Sequence, residues 1–568
     1  MSETRTMAWR EGWHALRPFV RRLSGAGQWL IGGWVLSVLA LVGGLGLLGL
    51  SGAFLTGAAI AGLSASTAAA FNFFMPGAGV RFFAVLRTTT RWGERVLSHE
   101  GTFRLLAGLR VWLYRRLSVL SNRQLLAFHG GELLNRLVRD IDALDNLYPR
   151  VLMPLAAAGV VFASLGALFA WVAPALVWVP ASLGALALLG LPTLGWWLGR
   201  SLLPAWMSHR AALRTRLLDT CEGLEDLSLQ RQAWSAQREH TLAAQADWLQ
   251  THLRSHRRAA GLRALVVLCV GALAWACLGW LGAQPVPLRL SGPWVAALVL
   301  LLMGATEALL PLAGACVDLP GTASAAQRLQ AMGDQPPAIA FPSGGPAPQS
   351  ASIDIEQLDF EWDAHSPVFR DFGLHVAAGE HVLLTGESGC GKSSLIQLLT
   401  RMEAPSRGRI LLGDVRIDEL DEPTLRHHVA CALQSTWSQS ATLADNLRLA
   451  RADATEAEMH EVLGIVGLEP EEAGWRDGLN TWVNEGGSSL SGGQRRRLGV
   501  ARALLRRAPI TLLDEPSEGL DPDAEGRMLQ GVTQHLRGRT LIWVSHRPVA
   551  AGVFDRTLEL SHVGLPPL

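Results

Sequence analysis

Before residue 319 the sequence carries six apolar runs, near residues 29–63, 68–90, 151–172, 173–199, 262–282 and 293–317. Each approaches or exceeds the ~20 residues a helix needs to cross a bilayer. Lipid offers the backbone no hydrogen-bond partners, so such runs must be helical. The second is the weakest, because Arg81 and Arg87 interrupt it. The first is longer than a signal-peptide core and reads as a retained span. Arginine collects in 100–140 and 200–263, is missing near 64–67 and 172–175, and appears once, as Arg289, near 283–292. That asymmetry puts both termini on the cytoplasmic side.

The two basic stretches hold good helix formers and almost no proline, so the spanning helices are expected to continue well into the cytosol. Gly131–Asp140 and Asp219–Ser228, near their far ends, are the candidates for docking onto the second domain. Residues 8–23 interleave aromatics with arginines at helical spacing, as in a helix lying among lipid headgroups; a solvated leader is the other reading. Prolines and glycines in 332–350 cannot continue a helix and mark a linker. The expected organisation is an interfacial helix in 1–28, a six-span domain in 29–331, the linker, and an α/β domain in 351–568.

Net charge is +1, without the basic excess of a nucleic-acid binder, so no nucleic-acid partner is expected. The six cysteines form no C-x-x-C pair and suggest neither a zinc site nor a disulfide framework.

In the second domain, Gly386-Glu-Ser-Gly-Cys-Gly-Lys-Ser-Ser394 follows the apolar run His381–Thr385 and fits G-x-x-x-x-G-K-[S/T]. Gly386, Ser388, Gly389, Cys390 and Gly391 would turn successive N–H groups around a β-phosphate. Lys392 would bridge the β- and γ-phosphates, and the Ser393 hydroxyl, with Ser394 beside it, would hold Mg²⁺. Lys392 is the only lysine in the sequence. A compact ammonium stands where a forked guanidinium fits poorly. Ile353–Phe360 alternates like a strand, and Trp362 follows it in a position suited to stacking on a purine; core or edge packing accounts for one aromatic equally well.

Further motifs follow: Gln434, Leu490-Ser-Gly-Gly-Gln494, Ile510-Thr-Leu-Leu-Asp-Glu515, Ser517-Glu-Gly-Leu-Asp521, and His546 after Leu541-Ile-Trp-Val-Ser545. In this order and spacing the stretch resembles the ATP-binding cassette of ABC transporters, joined here to an all-α six-helix membrane domain of the type IV exporter kind. The resemblance implies ATP and Mg²⁺. Asp514 would orient the ion's shell, with Gln434 sensing ion and water, and Glu515 would polarise the attacking water. His546 would contact the γ-phosphate and hold Glu515. Ser491, Gly492 and Gly493, at a helix N-terminus, would serve a nucleotide on the opposite subunit, together with Asp521. One cassette and six spans make half a transporter, so a second chain is required.

Phe71–Arg81, Arg91–His99, Gly131–Arg136 and Asp140–Asp145 are similar to the CydC-type halves of bacterial CydDC exporters. That resemblance implies a heterodimer with a CydD-like chain in the inner membrane, assembly of cytochrome bd, and a cargo of cysteine and glutathione or of heme. Arg87, Arg91, Arg95 and His99 recur every four residues and form a stripe on the second helix. His99 is the candidate ligand of a heme b iron, with a second ligand to come from the partner chain, and Arg95 the candidate partner of a propionate. Anchoring to lipid headgroups accounts for the same basic residues. Glu307 is a second ionisable group in a span, with helix pairing as its other reading. The alternatives are a homodimeric lipid or drug exporter and a membrane heme or thiol sensor that uses ATP for switching.

Overall fold

The long apolar runs of the sequence fold as helices, the 68–90 run being interrupted at Phe71–Phe73. The computed structural model describes residues 9–21, 27–126, 128, 133, 136–284, 290–362, 366–470, 473–546 and 552–560. Its contacts divide the chain into two units, one comprising the chain up to Val119 and Phe128–Gln335, the other Leu120–Ala127 and Pro336–Leu568.

The first unit is built from α1 (Trp9–Arg21), α2 (Gly27–Ala61), α3 (Phe74–Leu117), α4 (Arg136–Val172), α5 (Pro174–Arg200), α6 (Leu203–Glu222), α7 (Arg231–Ala283) and α8 (Gly292–Gly333). Among the described residues five of these, α2, α4, α5, α7 and α8, are long and apolar enough to cross a membrane. The run expected near 68–90 begins inside a separate short helix, Ala65–Ala70, and continues in α3. Its arginines keep α3 below the apolarity of the other five, and α3 joins them as the sixth long helix of the bundle.

Small residues let α3 lie close along α2: a Cβ on Gly43 would stand 3.1 Å from the Arg87 nitrogen, and one on Gly46 would stand 2.5 Å from the Phe83 ring. At 1.5 Å per residue the 53 residues of α7 span about 80 Å, far more than a bilayer's hydrocarbon. α4 and α5 carry π turns at Tyr148–Leu152 and Leu186–Gly190, beside Pro149, Pro154 and Pro192, whose missing N–H groups break the regular ladder. Arg328 on α8 grips Asp140 on α4 through two hydrogen bonds of 2.8 and 2.6 Å. α1 buries Gly12, Ala15, Leu16 and Phe19, and Trp9 meets Trp196 edge-on at 5.1 Å, so its apolar face packs on the bundle.

Of the docking candidates, Gly131, Glu132, Leu134 and Asn135 lie outside the described residues. In Asp219–Ser228, Gly223 ends α6 and a short helix, Leu224–Ser228, follows.

In the second unit α8 has given way to irregular chain from Asp334 to Ser352. Two sheets follow. An antiparallel one has the order β2-β1-β4-β5, from Ile353–Glu361 (β1), Pro367–Val376 (β2), Arg407–Leu412 (β4) and Val415–Arg416 (β5). A parallel one has the order β11-β3-β10-β9-β6, from His381–Gly386 (β3), Val429–Ala432 (β6), Ile510–Asp514 (β9), Thr540–Val544 (β10) and Arg556–Leu560 (β11). A short ladder pairs Ala441–Thr442 (β7) with Trp482–Val483 (β8). Every residue of β9 and β10 is buried, as continuous apolar strands covered on both faces must be. β3, β9 and β10 run in register and all end at one edge, where a parallel sheet offers its ligand crevice.

Candidate functional site

The loop leaving β3 needs glycine at two points. Gly386 and Gly391 take φ of +149° and +105°, and a Cβ would stand 2.4 Å from Leu560 O at the first and 2.6 Å from Val368 Cγ1 at the second. Gly389 also has a positive φ, +88°. Glu387, Ser388 and Gly389 form the exposed crown of the loop, while Cys390 beneath it is buried. Lys392 opens α9 (Lys392–Leu399), and its Nζ donates to Gly386 O at 2.7 Å and Glu387 O at 2.8 Å. The ammonium is therefore stretched back along the loop. Ser393 is exposed and Ser394 buried.

At the end of β9, Asp514 is 3 % exposed. Burial pushes its carboxyl above the usual range, opposed by a hydrogen bond from Ser393. Its Oδ1 is buried without a hydrogen-bond partner among the described residues. An orphaned carboxylate oxygen beside a serine hydroxyl suits Mg²⁺, a hard cation with oxygen ligands. Glu515 follows at φ +51°, a backbone conformation that costs a non-glycine residue of order 1 kcal/mol. Its N–H donates to Val544 O at 3.1 Å, which fixes it to the end of β10. Gln434 Nε2 donates to Glu515 Oε2 at 3.0 Å, and His546 Nδ1 lies 3.2 Å from Oε1. The sheet edge thus brings Asp514, Glu515, Gln434 and His546 together and joins Ser393 to Asp514.

Ser491 caps α10 (Gly492–Leu505) in a reciprocal capping box with Gln494. A Cβ on Gly492 or Gly493 would meet nothing within 4 Å, so packing within this chain does not require those glycines. Among the described residues no hydrogen bond joins Ser491, Gly492 or Gly493 to the β3 loop. Asp521 caps α11 (Pro522–His535) by accepting from Ala524 N at 2.9 Å, which holds its carboxyl below the usual range.

Trp362 donates its indole N–H to Ser394 Oγ at 3.1 Å and meets Phe360 edge-on. Arg123 donates to the Trp362 carbonyl and lies over its ring at 5.9 Å. Gln124 bonds Pro336 O at 2.9 Å and Ala338 N at 3.1 Å. The sequence reading missed Arg123 and Gln124, for nothing before residue 130 signals that this segment packs with the second unit. It also missed Arg496, which donates to Glu518 O at 3.0 Å and lies 2.8 Å from its carboxylate. The run Gln494-Arg-Arg-Arg497 was the available signal.

In the helical unit the arginine stripe is divided. Arg87 Nη2 donates to Glu307 Oε1 at 2.8 Å and Arg91 Nη2 lies 4.0 Å from the same atom, which joins two features that the sequence left separate. His99 stacks on Phe103 at 5.9 Å, and Arg95 O accepts from Ser98 Oγ. Among the described residues no group of three or more His, Cys, Asp or Glu could hold a metal ion.

Residues 369–518 match the ABC transporter family. The glutathione/L-cysteine transport system ATP-binding/permease protein CydC of Escherichia coli (strain K12) is 36 % identical over 547 residues, covering 94 % of this chain and 93 % of that protein. The corresponding CydD protein of Bacillus subtilis (strain 168) is 28 % identical, covering 86 % and 85 %. A bacterial Atm1-family ABC exporter solved with ATP bound superposes with a TM-score of 0.77 at 22 % identity, over 96 % of this chain and 94 % of that one.

Proposed function

Because this chain belongs to the CydC family of ABC transporter ATP-binding/permease proteins, we propose that it pairs with a CydD-like chain and moves glutathione and cysteine across the bacterial inner membrane. The observation that carries this reading is the match to the E. coli protein along 94 % of the chain, with a complete hydrolytic set at the sheet edge.

The geometry supports the following roles. Loop N–H groups between Glu387 and Lys392 cradle the phosphates, and Lys392 turns from the loop carbonyls to the β- and γ-phosphates. Ser393 and Asp514 would hold Mg²⁺, with Gln434 beside them, and the ion would supply charge neutralisation at the phosphates. Glu515 accepts a proton from the attacking water, while His546 and Gln434 fix the carboxylate from either side. Trp362 stands beside the loop for the base. Ser491 and Gly492, which are exposed, and Gly493, half-buried, reach the nucleotide of the partner chain, with Asp521 at the same interface. Closure of the two cassettes on ATP then shifts the bundle, α3 included as a span, between inward and outward access. Both termini are cytoplasmic, with the spanning helices within 29–331 and the ATP-binding cassette in 351–568.

Heme bound by His99 and Arg95, in support of cytochrome bd assembly, is the second reading, favoured by the placement of these residues one turn apart on α3. The test is uptake of labelled glutathione and cysteine into inverted vesicles holding the purified pair. ATP-dependent uptake of either supports the proposal. ATP turnover without uptake points to a sensor, activity of this chain alone to a homodimeric exporter, and a heme band lost in His99→Ala to the second reading.

A further inference from the structure

The helical unit contains a charge group that helix packing alone does not require. Glu307 faces two guanidiniums, Arg87 at 2.8 Å and Arg91 at 4.0 Å, one carboxylate against two cations, with Glu94 on α3 also near Arg91. The carboxylate is the more enclosed member: its side chain is 25 % exposed, against 44 % and 47 % for the arginines. Room for it is made by α2, where a Cβ on Gly44 would stand 2.8 Å from Glu307 Oε2. Glu307 lies four residues before Pro311, whose missing N–H leaves the α8 backbone without its usual bond to the Glu307 carbonyl.

Inside a membrane an uncompensated charge is costly, so Arg87 cannot simply release Glu307. It can exchange it, since a guanidinium binds any carboxylate in the same forked geometry. Arg91, held less closely, is the member free to make first contact. We propose that Arg87 and Arg91 bind the carboxylate of the cargo, and that Glu307 is the resident carboxylate which the cargo displaces. This rests on the thiol reading above and adds a chemical requirement to it: the cargo must carry a free carboxylate, as glutathione and cysteine both do. Displacement replaces one carboxylate by another beside the arginines and changes the position of the Glu307 side chain on α8.

The test is equilibrium binding of labelled glutathione, cysteine and cysteamine, which has the thiol and amine of cysteine without its carboxylate, to the purified heterodimer in nanodiscs. Wild type should bind cysteine about tenfold or more tighter than cysteamine. Arg87→Gln and Arg91→Gln should reduce that preference by about tenfold, and Glu307→Gln, which removes the internal competitor, should tighten cysteine and glutathione by up to about tenfold. A purely structural ion pair would weaken binding in Arg87→Gln and Glu307→Gln alike. That result, or equal affinity for cysteine and cysteamine in wild type, overturns the exchange and leaves thiol transport standing. If wild type binds neither thiol, the thiol reading fails and the exchange with it. The cysteine–cysteamine comparison needs no variant, so the test survives a variant that does not assemble.

Discussion

The Nδ1 atom of His546 lies 3.2 Å from Oε1 of Glu515, while Oε2 of the same carboxylate accepts from Gln434. Both oxygens are thus oriented from outside the strand that carries them, and the backbone at φ +51° aims the side chain beyond the end of β9. A general base must be placed before its basicity matters.

Glu515→Gln is therefore expected to retain ATP affinity within about twofold and to lose 10²-fold or more of turnover, roughly the contribution of a positioned base. His546→Ala should lower turnover by a comparable factor through misplacement of Glu515. Single-turnover hydrolysis alongside nucleotide binding checks both; continued hydrolysis by Glu515→Gln would move the active site to the partner chain.

Gly391→Ala places a methyl group 2.6 Å from Val368 Cγ1 at a φ of +105°. Clash and backbone strain act together, each of order 1–3 kcal/mol. The loop should lose its phosphate geometry, with ATP affinity falling at least tenfold and Tm dropping. A calorimetric scan with and without ATP separates the two effects.

Asp514 combines a binding role with a folding cost. Its carboxyl is raised by burial, so its contribution favours the folded state below the unfolded pKa and is lost as pH rises through the folded one. Asp514→Asn should therefore raise the Tm of magnesium-free protein at neutral pH, by about 2–4 °C for each kcal/mol recovered in a domain of cassette size. The gain over wild type should shrink on acidification. The same variant should lose the extra stabilisation that Mg²⁺ gives with ATP.

Arg328→Met leaves Asp140 half-buried without its paired hydrogen bonds. The expected loss is about 1–3 kcal/mol, below that of a fully buried pair because the arginine is 31 % exposed. Asp140→Asn, which keeps an acceptor, should cost less; thermal unfolding of the two variants gives the comparison.

What the sequence disclosed was set by how local each feature is. The β3 loop, the Asp514–Glu515 strand end and the Ser491 cap are contiguous, and their chemistry can be read in order. Arg87 and Glu307 are 220 positions apart and are legible in the sequence only separately, one as part of a basic stripe and the other as an ionisable group in a span. The Ser394 partner of Trp362 and the Arg123 over its ring lie in segments whose own patterns indicate nothing about each other. α3 was the weakest span for a physical reason: glycines on its neighbour, rather than its own apolarity, give it a place in the bundle.

A chain with a single side-chain amine carries its own reporter. Lys392 is the one side chain on which an acylating reagent can leave an amide, and there the amine is clasped by two carbonyls of the phosphate loop. The rate of that one modification would read, without any engineered label, how often the loop opens and how much of the population has nucleotide seated in it.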